Sequence, residues 1–258
     1  MNTYAVVIPA YNEAATIRGL AERALAQVGR KPAPEFSALP PSLAVGQVIV
    51  VDDGSRDGTA EAVRDLPVTL LVNDTNMGKG GALWRGLQQA LTLGAVGIVT
   101  LDADGQHAPE DIPRLIAAFE RHPDHIIIGA RRSDRANTPR ARYIANKIAN
   151  FWISWACGQP LADSQSGFRL YPAGLFRGLA IQHGKKRGFV FESELLIEAA
   201  RRGYRSVAVG VPAVYHPAGR PSHYRHIDTW YITRMVAGKL LASGLDPVGF
   251  YRAFIKRC

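Results

Sequence analysis

Asp102, Asp104 and Gln106 occupy alternate positions directly after the apolar run Ala95-Val96-Gly97-Ile98-Val99. Alternate side chains of an extended segment point the same way. Two carboxylates and an amide oxygen therefore converge beyond the carboxyl end of a buried strand, where open α/β sheets place their ligands. Hard oxygen donors of this kind suit Mg²⁺ or Mn²⁺, ions that keep waters and bridge to substrate phosphates. The same residues also make an acidic turn ahead of a helix opened by Pro109.

Two other segments could carry chemistry. Asp52-Asp53-Gly54-Ser55-Arg56-Asp57-Gly58-Thr59 ends an apolar run, so Asp52 or Asp53 can accept hydrogen bonds from ribose hydroxyls or a base edge. Asp57-Gly58-Thr59 reads equally as a turn and helix cap. Asn76-Met77-Gly78-Lys79-Gly80-Gly81 is a glycine-rich entry to a helix, where backbone amides and Lys79 can approach phosphates. It is not a P-loop, because Gly80 stands where Ser or Thr is needed. No G-x-G-x-x-G follows the first strand, which speaks against a dinucleotide enzyme.

The elements that must position these residues alternate. Strands are expected at Tyr4–Pro9, Gln47–Asp52, Val68–Val72, the run before Asp102, and Ile126–Ile128. Helices are expected at Glu13–Val28, Thr59–Asp65, Gly81–Leu93 and Pro109–Arg121, then at Arg140–Trp155 and His226–Ala242. That rhythm implies a mostly parallel sheet flanked by helices. The stretch Gly29–Gly46, with Pro32, Pro34, Pro40 and Pro41, reads as a surface excursion or as a lid.

A chain of 258 residues can bury an ample core. Its two cysteines form neither a disulfide framework nor a zinc spacing, so a reducing cytoplasm is the default expectation. No leader pattern opens the chain, and its apolar runs are too short to span a bilayer. Residues 1–129 hold 10 Lys/Arg and 15 Asp/Glu, whereas residues 130–258 hold 21 and 7. The basic half calls for an anionic partner: phosphate-bearing substrate, membrane surface or nucleic acid. No nucleic-acid motif accompanies the charge, so nucleic acid is not expected. Trp152, Trp155, Trp230 and Tyr231 suit either a core or a bilayer interface.

Taken in order, Val7-Ile8-Pro9-Ala10-Tyr11-Asn12-Glu13, the Asp52–Thr59 segment, Asn76–Gly80 and Asp102–Gln106 resemble a GT-A fold family 2 glycosyltransferase. Asp163-Ser164-Gln165-Ser166-Gly167-Phe168-Arg169 resembles the dolichyl-phosphate mannosyltransferase and polyprenyl-phosphate glycosyltransferase subgroup. The likeness spans roughly residues 3–225. It divides the chain into a GT-A domain at 1–225 and a basic amphipathic helical segment at 226–258, a candidate for membrane-surface or partner contact.

The resemblance implies inverting transfer of a sugar from a nucleotide-diphosphate donor, such as GDP-mannose or UDP-glucose, to a polyprenyl phosphate. It places Pro9, Tyr11, Glu13, Asp52, Asp53, Lys79, Asp102 and Arg131 at the donor. Asp102, Asp104 and Gln106 would hold Mg²⁺ or Mn²⁺. Arg140 or Arg142, Ser166, Arg169, Arg220 and His223 would meet phosphate or acceptor, and Asp104, Glu192 and Asp163 would act in the chemistry. Glu192 stands where the relatives often have aspartate, as base or orienting group; Glu194 could be a helix-dipole partner. His223 stands where lysine is frequent. The expected place is the inner face of the cytoplasmic membrane, peripherally and with a membrane-anchoring partner protein as a candidate. A soluble hydroxyl acceptor is the alternative, and a non-catalytic nucleotide-sugar-binding protein a further one.

Overall fold

Strand β1 (Thr3–Ala10) is buried on both sides from Tyr4 onward. Ala5 and Val7 enter one core, whereas Tyr4, Val6, Ile8 and Ala10 enter another. A strand of this kind must be covered by helices on both faces. The computed structural model describes residues 3–29, 44–131, 140–184, 190–212 and 226–255, and there the chain forms a three-layer α/β arrangement.

After β1 come α1 (Ala14–Leu25), β2 (Ala44–Asp52), β3 (Thr69–Val72), α2 (Lys79–Thr92), β4 (Gly97–Thr100), α3 (Ile112–Arg121) and β5 (His125–Arg131). The later elements are α4 (Arg140–Cys157), β6 (Arg169–Pro172), α5 (Val190–Arg201), β7 (Arg205–Val211), α6 (His226–Ala242) and α7 (Pro247–Phe254). Seven strands lie in the order β3-β2-β1-β4-β6-β5-β7. All run parallel except β6, which is antiparallel to both β4 and β5. Helices α1 and α3 cover one face, with Ile17, Leu20, Ile112 and Leu115 inward. Helices α2, α4, α5 and α6 supply Leu83, Leu87, Ile153, Leu195 and Leu240 to the other.

The mostly parallel, helix-flanked sheet is as expected, and four differences have local causes. Residues 59–65 form only a 3-10 turn at Glu61–Val63, since the stretch before Pro67 is too short to nucleate a helix. Helix α2 begins at Lys79 rather than Gly81, so the lysine belongs to its first turn. Strand β6 goes unannounced because its four residues are too few for a period to register. Finally, α6 packs on the main core, where Met235, Val236 and Leu240 are buried with residues of α2 and α5. The proline-rich residues 30–43 lie outside the described residues.

Candidate active site

Strand β1 leads to β2 on one side, and after β3 the chain returns to place β4 on β1's other side. That reversal opens a crevice at the carboxyl ends of β1, β2 and β4, and the sequence motifs meet there. Asn12 N donates to Ser55 Oγ at 2.9 Å, Glu13 N to Thr59 Oγ1 at 2.8 Å and Ala14 N to Asp57 Oδ2 at 3.0 Å. Asn12 Oδ1 accepts from Arg56 N at 3.0 Å in return. The turn after β1 is thus fastened to the turn after β2.

The next link is Asp53. Its Oδ1 accepts from Asn73 Nδ2 at 2.7 Å and from Met77 N at 2.8 Å, which ties the turn after β2 to the start of α2. Burial raises the Asp53 pKa despite those two donors. Asp52, also buried, accepts from the backbone and hydroxyl of Ser55. Gly78 precedes α2 with φ of 79°, a conformation that excludes most side chains and lets the chain turn Lys79 toward β4.

Lys79 Nζ lies 2.8 Å from Asp102 Oδ1 and 2.7 Å from Glu192 Oε2. Burial opposes the ammonium charge, but the two carboxylates outweigh it and raise the Lys79 pKa. Burial likewise works against the Asp102 carboxylate, and Lys79 more than compensates, holding it below its ordinary value. Asp104 fares differently. Burial and the charge of Asp102 raise its pKa, opposed by the Gln106 N–H donated at 2.9 Å. The pair thus carries negative charge that Lys79 and its neighbours offset more fully at Asp102 than at Asp104.

Across the crevice, Arg131 at the end of β5 pairs with Asp163 through Nε at 2.8 Å and Nη2 at 3.1 Å. Burial raises the Asp163 pKa, yet the guanidinium overcomes this and holds it low. Gly167 passes so close to Asp102 that a Cβ there would sit 2.4 Å from Oδ2. Only glycine permits that approach.

The sequence pattern of glycosyl transferase family 2 matches residues 5–180, a stretch that contains the crevice from β1 to β6. The chain belongs to glycosyl transferase family 2. This family 2 member is 33% identical over 180 residues to undecaprenyl-phosphate mannosyltransferase of Micrococcus luteus, covering 67% of this chain and 73% of that one. It is 28% identical over 218 residues to polyprenol monophosphomannose synthase of Mycolicibacterium smegmatis, covering 80% and 75%. Its fold is GT-A. Glucosyl-3-phosphoglycerate synthase from Mycobacterium tuberculosis, solved with Mn²⁺, UDP and glucosyl-3-phosphoglycerate, superposes with a TM-score of 0.60 at 24% identity, covering 93% of this chain and 79% of that structure.

Several expected site residues of this glycosyl transferase come together: Asp52, Asp53, Lys79, Asp102, Asp104, Arg131, Asp163 and Glu192 all border the linked turns described above. Pro9 is buried at the end of β1, and Tyr11 and Glu13 follow it. Three assignments are corrected. Ser166 and Arg169 are fully buried, and their polar atoms are turned to the protein rather than to a phosphate. Ser166 Oγ donates to Gly129 O at 2.7 Å. Arg169 donates to Tyr171 Oη at 3.1 Å, Glu192 O at 3.0 Å and Ser164 O at 2.8 Å. The arginine fastens the Asp163 loop to the start of α5. Glu194 is not at the start of α5 but in its second turn, where it pairs with Lys239 of α6 at 3.0 Å. The side chains of Arg140 and Arg142, together with Arg220 and His223, lie outside the described residues.

His107 was not singled out as a site residue. It is buried against Phe168, with ring centroids 5.4 Å apart, and burial drops its pKa to about 4. Its place next to Gln106 was the only signal. Asn150 was also missed; from α4 its Oδ1 accepts from Ser164 N at 2.8 Å and Oγ at 2.6 Å.

The donor set at the end of β4 fits a hard divalent ion: two carboxylates two residues apart, one of them with its pKa raised by burial and by the other, and an amide two residues on. Among the described residues no cluster of three or more His, Cys, Asp or Glu is assembled for a metal. A site with so few protein ligands suits an ion that completes its shell with water and substrate phosphate.

Proposed function

We propose that this chain transfers a sugar, with inversion, from a nucleotide-diphosphate sugar to a polyprenyl phosphate at a membrane surface. The observation that carries the reading is the line Glu192–Lys79–Asp102. It sets a cation where the nucleotide-side turns of the first half meet α5 of the second. The names of the relatives, which specify undecaprenyl phosphate and polyprenol, support the acceptor class.

Pro9, Tyr11, Glu13 and Asp52 form the nucleoside side of the crevice, while Asp53 shapes the turn that presents Lys79. Asp102, Asp104 and Gln106 would hold Mg²⁺ or Mn²⁺. When bound, such an ion neutralises charge on the diphosphate as the nucleotide departs. Lys79, at a helix N-terminus, adds a second cation on the same side. Arg131, aimed by its two bonds to Asp163, offers a third from β5. Asp163 in this reading positions Arg131 and takes no proton.

An acceptor phosphate is already anionic, so its oxygen attacks the anomeric carbon without a base. The new C–O bond forms on the face opposite the departing diphosphate, whose C–O bond breaks. Glu192 then serves to orient Lys79. The same carboxylate favours a second reading, a hydroxyl acceptor from which Glu192 removes the proton.

The test is transfer to a short-chain polyprenyl phosphate with GDP-mannose and UDP-glucose, with and without Mn²⁺. Lipid-linked product that requires the ion is expected. Product only on a soluble hydroxyl acceptor would move the chain to the second reading, and failure to turn over any donor would leave a binding protein.

A further inference from the structure

Helices α4 and α7 share an exposed apolar ridge that no part of the described chain covers. On α4, Ile144, Ile148, Phe151 and Trp152 recur at helical spacing and are 53%, 54%, 38% and 44% exposed. On α7 and its end, Val248, Tyr251, Phe254 and Ile255 are 54%, 51%, 37% and 58% exposed. The rings join the two helices: Phe151 stacks on Phe254 with centroids 4.8 Å apart, and Trp155 meets Phe250 edge-on at 5.2 Å. The Trp155 indole N–H, donated at 3.2 Å to the carbonyls of Leu245 and Asp246, fixes the turn before α7 to α4. Eight exposed apolar side chains on two packed helices depart from the singly scattered apolar residues of ordinary protein exteriors.

The geometry points to this ridge as the docking surface for an anionic lipid bilayer, an inference that rests on the lipid-phosphate acceptor proposed above. Charge selects the occupant. By sequence, α4 contains Arg140, Arg142 and Lys147, α7 contains Arg252, and neither helix has an acidic residue. A second copy docked through the same face would set these cations against their own kind. An anionic leaflet takes both the cations and the apolar side chains, and aromatic rings mixed with lysine and arginine are the composition of interfacial helices. No described helix is long and apolar enough to cross a membrane, so contact here lies along the surface.

Position supports the same occupant. Asn150, next to Phe151, holds the loop of Asp163 through Ser164 and donates to Ala162 O at 2.9 Å. The helix that would rest on lipid therefore carries the loop that aims Arg131, which keeps the crevice beside the headgroups where a lipid phosphate resides.

The test uses vesicles of phosphatidylcholine with and without phosphatidylglycerol, free of polyprenyl phosphate and nucleotide. The wild type should sediment with the anionic vesicles. A triple variant, Ile144→Ser with Ile148→Ser and Ile255→Ser, should bind about tenfold more weakly or worse, with unchanged melting temperature. Should the triple variant fold poorly, brominated lipid gives an independent readout. It should quench wild-type tryptophan fluorescence more than that of Trp152→Phe. Equal binding by wild type and variant, equal quenching, or no vesicle binding by the wild type would overturn the docking surface. So would a wild-type dimer that the triple variant dissociates, which would assign the ridge to a second copy. Transfer to a membrane-free short-chain acceptor should be the same for both proteins. Its absence in both would count against the acceptor reading alone.

Discussion

Asp102 Oδ1 receives the Lys79 ammonium at 2.8 Å, whereas Asp104, two residues on, gains less from Lys79 and Arg131 than burial and the Asp102 charge take away, and is pushed toward protonation. Charge compensation wins at one carboxylate of the pair and burial wins at its neighbour. The imbalance sets what substitutions at each position should do.

Lys79→Met strands Asp102 and Glu192 without their shared cation. Breaking a largely buried pair from one side costs about 3 kcal/mol, so the melting temperature should fall. Mn²⁺ should restore more stability to the variant than it adds to the wild type, because it relieves the Asp102 charge that the lysine relieved. An equal Mn²⁺ shift in both proteins, read by differential scanning fluorimetry, would argue against this.

Asp104→Asn removes a charge that folding has to bury. The variant should melt at or above the wild-type temperature without metal, lose the rise produced by Mn²⁺, and lose ion-dependent turnover by about 10²-fold or more. Isothermal titration with Mn²⁺ gives the same answer without substrate. A variant that still binds the ion at wild-type strength would remove Asp104 from the ligand set.

The placement of Asp102, Asp104 and Lys79 was legible because each follows a short apolar strand or opens a helix, and strand ends in such sheets are where ligands bind. The meeting of Lys79 with Glu192 was not, since nothing local in Val190–Arg201 reports which helix faces α2. Arg169 misled for a related reason. The resemblance placed it at phosphate or acceptor, and only the antiparallel insertion of β6 between β4 and β5 carries it inside. The α4 stripe was visible, but its exposure depends on where α7 packs, and α7 left no distinct period.

Stability should respond to acid through the Asp163–Arg131 pair. The Asp163 pKa is held below its ordinary 3.8. A carboxyl with a depressed folded-state pKa contributes stability that is present above the unfolded value and is lost as pH falls through the folded one. The melting-temperature gap between wild type and Asp163→Asn should be constant near neutrality and should shrink once pH drops below about 4. A gap that persists undiminished there would show that the pair contributes nothing ionic.

Arg169→Lys should behave as a structural loss. One ammonium cannot reproduce the fork that serves Tyr171, Ser164 and Glu192 together, and buried carbonyls left unpaired cost about 1–3 kcal/mol each. The expected result is a lower melting temperature with donor KM little changed. A large KM effect at unchanged stability would return Arg169 to a substrate phosphate.

Strand β6 has a consequence for how the chain comes to be. As a ribosome delivers the protein from its amino end, β5 emerges before β6 and β7, its only sheet neighbours. Until residues 169–172 arrive, β4 is bonded along one edge alone and β5 along neither, and Asp102 lacks the glycine wall at residue 167. The nascent chain thus passes through a stage with one edge of β4 and both edges of β5 open, the condition under which sheets recruit foreign strands. Truncation between β5 and β6 should accordingly yield a polypeptide that aggregates rather than a half-enzyme.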